Sequence, residues 1–199
     1  MTALILASQS PTRRAMLEAA GVPFEAKPAH VDEDAVKASL VARGIDGRGL
    51  ADALAEMKAL KLSRQYPTAL VLGCDSTVQT QDGALLDKAA TRDESAAQLR
   101  GLAGTTHRLT SAAVVALGGE AIWRHVDAAK LTMRAFSEAF LQGYLDAEWP
   151  AIGGCVGGYR VEGRGAQLFA RIEGSHFTIL GLPLLPLLAW LRDRGVLAA

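Results

Sequence analysis

Apolar residues along the chain fall into short blocks of two kinds, continuous runs that suit buried strands and three-and-four spacings that suit helices. Residues 4–7 form a continuous apolar run that breaks into Ser8, Gln9, Ser10 and Pro11, the pattern of a strand feeding a helix. Ser10 is placed to cap that helix and Pro11 to fill its first position, with Leu17 facing the core and Gly21 ending the 11–20 helix. A second strand is expected over 22–29, and three carboxylates, Asp32, Glu33 and Asp34, follow it. Leu50, Leu54, Met57 and Leu62 then recur at helical spacing, with Lys58 beside their stripe and Pro67 beyond the end.

Residues 69–72 read as a buried strand that ends at Gly73, so that Asp75 and Ser76 fall in the turn after it. Asp82 and Gly83 signal a hairpin returning through Leu85 and Leu86 to Lys88. Thr91 and Glu94 have capping-box spacing for a helix to about Leu102. Residues 109–117 and 121–136, joined by Gly118 and Gly119, read as a long antiparallel hairpin, and Ser137 opens a helix that ends before Trp149 and Pro150. Glycine is dense over 153–165, where it suits either a flexible linker or a close approach of backbone to ligand. Residues 166–172 and 177–180 are expected to pair as a hairpin around Glu173 and Gly174, before a last helix over 182–194. Crossovers mixed with hairpins predict an α/β fold with a mixed sheet rather than a doubly wound one.

Composition narrows the function classes. The 199-residue chain can bury a sizeable core, and half of it is hydrophobic. Lys plus Arg equals Asp plus Glu, 21 each, so no bulk charge draws the protein to a nucleic acid polymer or a membrane surface. Any anion must be held by a local cluster. Cys74 and Cys155 make no disulfide framework, which suits a reduced, cytoplasmic chain, and no basic region precedes the first apolar run, so no secretory leader is expected. The longest apolar stretch, 177–191, is too short to span a bilayer.

Several signals of chemistry are missing: there is no Walker loop, no dinucleotide fingerprint after the first strand and no nucleophile elbow. His30, His107, His125 and His176 show no metal-ligand spacing. The strand-to-helix junction at Ser8 to Arg13 is a ready anion site, because free amide N–H groups and the positive end of the helix dipole meet there. Beside it stand Glu33, Lys58, Asp75 and Lys88. Arg13, Lys58 and Lys88 can meet the charge of a phosphate chain, while Glu33 and Asp75 can serve a divalent cation, which needs only one or two carboxylates.

The motifs LILASQSPTRRAML, VDED, LAEMKA, VLGCDST, LLDKAATRDESAAQLRGLAGTTHRLTSA and GGYRVEGRGAQLFARIEGSHFTILGLPL, in this order, resemble the Maf nucleotide pyrophosphatases over nearly the whole chain. The resemblance implies one domain over 1–199 made of two lobes, with an elongated central sheet flanked by helices and an active-site cleft between the lobes. It implies hydrolysis of a nucleoside triphosphate to monophosphate and diphosphate with magnesium or manganese, and it suggests a homodimer. By position, Ser8, Arg13, Lys58 and Lys88 would bind phosphates, Glu33 and Asp75 would serve the metal, and Asp75 would accept the proton of the attacking water.

Thr12, Ser76 and Glu162 fall at positions that set substrate choice, and Glu162 is similar to the branch that cleaves 7-methyl-GTP. A carboxylate there suits the ring N–H and amino donors of guanine. Thr12 and Ser76 depart from that branch, in which an aromatic residue and glutamine are frequent. A nucleotide-binding regulator of septum formation that needs no turnover is the alternative reading, and a binder of mononucleotides or sugar phosphates on the same scaffold is a third.

Overall fold

The computed structural model describes residues 4–198, so the ends of the expected 1–199 domain lie outside the described residues. Strand β1 (Leu4–Ala7) is wholly buried and hands over to α1 (Pro11–Ala19), whose N-cap Ser10 accepts a hydrogen bond from the Arg13 amide. The expected strand over 22–29 shrinks to β2 (Glu25–Ala26), between Pro23 and Pro28, which have no N–H to give a ladder. The three carboxylates open a helix that apolar spacing did not reveal, α2 (Glu33–Ala42), capped by Asp32. It buries none of its residues, so its sequence carries no stripe to read.

Helix α3 (Gly47–Gln65) follows, then β3 (Leu70–Gln79) and β4 (Leu85–Leu86). The expected end of β3 at Gly73 is corrected: the strand continues through Asp75 and Ser76. Next come α4 (Arg92–Leu102), β5 (Thr106–Leu117), β6 (Glu120–Met133) and α5 (Glu138–Glu148), with Thr91 and Ser137 as the caps read from the sequence. Two short 3-10 turns, Ala151–Gly154 and Arg164–Leu168, lead to β7 (Phe169–Glu173). Strand β7 pairs antiparallel with β6, and its expected partner over 177–180 falls instead in a short helix, α6 (His176–Ile179), before α7 (Leu184–Asp193). A short apolar run fits a strand or a buried helix equally well.

The strands form one mixed sheet in the order β2-β1-β3-β5-β6-β7, with β4 on β3. Strand β1 is parallel to β2 and β3, whereas β4 on β3 and β7 on β6 are antiparallel. No helix among the described residues is long and apolar enough to cross a membrane.

The chain divides into two compact units. The first runs to Ser76 and adds Thr110–Asp127 and the chain from Ser175. Side chains alternate along its strands: Leu4, Leu6, Leu70, Leu72, Ala113 and Val115 pack with Met16 and Leu17 of α1 and Leu187 and Leu191 of α7. Their alternates face the other way, where Ala51, Ala55 and Ala59 of α3 meet Ala112, Val114 and Ala116 of β5. Helix α3 and β3 approach backbone to backbone at Gly73. A Cβ on it would lie 2.1 Å from the Ala55 carbonyl oxygen and 2.7 Å from the Ala59 amide, so only glycine fits.

The second unit comprises Thr77–Leu109 and Ala128–Gly174. The glycine-dense segment is no free linker, because the Tyr144 hydroxyl donates to the Gly158 carbonyl at 3.2 Å and Arg160 pairs with buried Glu148 at 2.6 Å. His107, 2% exposed, meets the Tyr159 hydroxyl through Nε2 at 2.8 Å, and burial lowers its pKa to about 4. Its Nδ1 is buried without a partner, which favours the tautomer with the proton on Nε2.

Gly73→Ala should cost about 3 kcal/mol or more in urea unfolding, whereas Gly101→Ala, on an exposed face of α4 with open space around it, should gain about 0.5–1 kcal/mol. His107 is neutral in the folded protein down to about pH 4, while the unfolded chain takes up its proton near 6.5. Stability should therefore be full above pH 6.5 and fall by up to about 3 kcal/mol as pH drops to 4, a slope that His107→Gln should remove.

Candidate functional site

The residues singled out in the first unit lie just beyond the carboxyl end of β1 and beside the middle of β3. Helix α3 buries Leu50, Ala51, Leu54, Ala55, Lys58, Ala59 and Leu62, so Lys58 lies on the buried stripe rather than beside it, while Met57 is only partly buried. The close approach at Gly73 brings that stripe onto β3, where Asp75, two residues on, shares the glycine's face. Lys58 Nζ lies 2.6 Å from Asp75 Oδ1 and 3.0 Å from Glu33 Oε1. Lys58 and Asp75 are 7% and 8% exposed, whereas the Glu33 side chain is 41% exposed. Glu33 is the first residue of α2, a position that favours a negative charge.

Ser76 points to the opposite face of the sheet, and there Arg13 reaches it from the first turn of α1. Arg13 donates from Nη2 to Ser76 Oγ at 3.0 Å, from Nε to the Gly181 carbonyl at 2.7 Å and from Nη1 to Ser8 Oγ at 3.4 Å. The Ser8 hydroxyl also accepts from the Ser10 amide at 3.2 Å, which closes the turn between β1 and α1. Cys74, which precedes Asp75 and shares the sheet face of Ser76, is fully buried; burial pushes its thiol up to about 11, although Arg13 and Lys58 oppose the shift. It is not a nucleophile at neutral pH.

Thr12 is partly buried in the first turn of α1. Lys88 and Glu162 belong to the second unit and are exposed. Lys88 forms an isolated antiparallel bridge with Val156, and both it and Glu162 act electrostatically on Cys155, which places the three in one neighbourhood of that unit. Among the described residues no group of three or more His, Cys, Asp and Glu side chains is placed to hold a metal ion. Two carboxylates nevertheless converge on one ammonium nitrogen, and hard oxygen donors of this kind suit magnesium or manganese.

The family model for the Maf-like protein matches residues 3–194. The chain belongs to that family. A relative from Sphingopyxis alaskensis, named nucleoside triphosphate pyrophosphatase, is 51% identical over 193 residues, covering 97% of this chain and 98% of the relative. One of the same name from Caulobacter vibrioides is 51% identical over 197 residues, covering 99% and 98%. Among solved structures, a HAM1 protein from Coxiella burnetii aligns with a TM-score of 0.44 and 15% identity, over 67% of this chain and 73% of that one.

Sequence reading of this Maf-like chain missed Ser111, Thr178, Gly181 and Asp127, which complete the hydrogen bonds around Arg13. Ser111 and Thr178 are signalled in the sequence only as polar residues inside apolar runs, and Asp127 and Gly181 carry no such signal. Asp75 also differs from its expected setting, standing within a strand rather than in a turn after one.

The two partners of Lys58 should differ in energy. A double-mutant cycle using Lys58→Met should give a coupling of about 2 kcal/mol or more with Asp75→Asn, because breaking the pair leaves a buried charge. With Glu33→Gln it should give under about 1 kcal/mol, since solvent screens that exposed partner. Urea unfolding of the four-protein sets measures both.

Proposed function

We propose that the protein is a cytoplasmic nucleoside triphosphate pyrophosphatase, releasing diphosphate and a nucleoside monophosphate. The observation that carries this reading is the placing of a guanidinium on Ser76, and of an ammonium and two carboxylates at Asp75, at neighbouring positions of β3. The pyrophosphatase names of relatives about half identical over nearly their full lengths support it. Arg13, with N–H groups left beyond its three internal bonds, and Lys58 meet the phosphate charge.

Glu33 and Asp75 would hold a magnesium or manganese ion, which would supply polarisation of the phosphate oxygens. Asp75 orients a water and takes its proton as the oxygen bonds to the α-phosphorus. The bond to the bridging oxygen breaks, and diphosphate leaves with the bonding pair while Arg13 and Lys58 offset its charge. Ser8 lends its hydroxyl to the phosphate site. In the second unit Lys88 takes a phosphate role, and Glu162, with Thr12 and Ser76, sets the base. The Glu162 carboxylate accepts from a guanine-type edge and favours 7-methyl-GTP.

Purified protein given magnesium and a panel of canonical and modified triphosphates, 7-methyl-GTP included, should release diphosphate. Asp75→Asn should lower kcat at least about 100-fold, and chelation should abolish turnover until magnesium is restored. An Asp75→Asn protein as active as the wild type, or a wild type inert on every nucleotide, overturns the reading in favour of a binding protein without turnover.

A further inference from the structure

A guanidinium carries five N–H donors and can accept nothing. Three of those on Arg13 are engaged within the first unit, and one leads inward: Nη2 donates to Ser76 Oγ at 3.0 Å, and Ser76 Oγ lies 2.8 Å from Ser111 Oγ on β5. Ser111 is 0% exposed and donates to the Thr178 carbonyl at 2.7 Å. A hydroxyl owns one proton and a carbonyl only accepts, so the proton of Ser111 is committed to Thr178. The proton between the two serines therefore comes from Ser76. With that proton directed inward, Ser76 can face Arg13 only as an acceptor, the single direction a guanidinium can use.

The relay closes on itself. Thr178 and Gly181 lie in one turn of chain, and the Gly181 carbonyl accepts from Arg13 Nε at 2.7 Å. The Thr178 hydroxyl donates to Asp127 Oδ2 at 2.6 Å and ties that turn to β6. Gly181 has φ +100°, and a Cβ there would lie 3.2 Å from Arg13 Nε and 3.3 Å from Ser76 Oγ, so a side chain at this point would crowd the ring.

We infer that Ser111 is a positioning residue for Arg13: by fixing the direction of the Ser76 hydroxyl it holds the guanidinium in one orientation, with its remaining N–H groups available to a phosphate. With its proton committed inward, Ser76 can meet a nucleotide only as an acceptor. This inference rests on the phosphate-binding reading of Arg13 given above.

Calorimetry on the full chain with inorganic tripolyphosphate tests it. Arg13→Met should weaken binding at least about tenfold, Ser111→Ala about fivefold, and the double variant no more than Arg13→Met alone. In turnover, Ser111→Ala should lower kcat/KM at least in parallel with the loss of tripolyphosphate binding, because Arg13 meets phosphate charge both on binding and on departure. Ser111→Cys, of similar shape with a weak donor, should bind between wild type and Ser111→Ala, and it stands in if the alanine variant does not fold. Undiminished binding by either Ser111 variant, or losses that multiply in the double variant, overturns the positioning role. Undiminished binding by Arg13→Met, or none by the wild type, instead removes the phosphate reading beneath it.

Discussion

The approach of α3 to β3 at Gly73 is the contact on which the rest of the first unit depends. With the Ala55 carbonyl standing where a Cβ would be, helix and strand touch backbone to backbone, and the helix can present only small residues, Ala51, Ala55 and Ala59, to the sheet. Lys58 sits between two of them and is carried into the interface. A lysine there is costly without a counter-charge. Asp75, two residues beyond Gly73 on the same face, supplies it, and Glu33 at the start of α2 adds a second contact from the solvent side. One close approach thus brings a cation and two carboxylates to a single point.

Strand alternation then distributes the chemistry. Asp75 and Ser76 are neighbours in sequence, yet they serve opposite faces of the sheet, the first meeting Lys58 and the second meeting Arg13. The acidic groups suited to a metal and a water are separated by one strand from the guanidinium suited to a phosphate. Each is fixed by different packing, Lys58 by the alanine stripe of α3 and Arg13 by the hydrogen-bonded ring through Ser111, Thr178 and Gly181. A change in one set can therefore leave the other in place.

Much of the fold was legible because its signals are local. Caps at Ser10, Thr91 and Ser137, the hairpin at Asp82 and Gly83, and the apolar run of β1 all appear where the chain announces them. The failures share a cause. Helix α2 packs no buried residue, so it leaves no apolar period, and the run over 177–180 is too short to tell helix from strand. The sequence of β3 turns polar before the strand ends, and a strand carrying Asp75 and Ser76 is acceptable only with partners that lie far off in sequence.

The same division holds for the site. The residue types at Ser8, Arg13, Glu33, Lys58 and Asp75, and the strand-to-helix junction that makes an anion site, are written in the order of the chain, because charge, hydroxyls and capping are properties of near neighbours. Which groups touch is not. The burial of Lys58, the pairing of Asp75 with it and the inward relay from Arg13 to Thr178 depend on backbone approach and strand alternation across the sheet. Sequence determined the chemical groups available to this protein; tertiary structure decided their partners, because burial and hydrogen-bond direction exist only once distant segments are packed together.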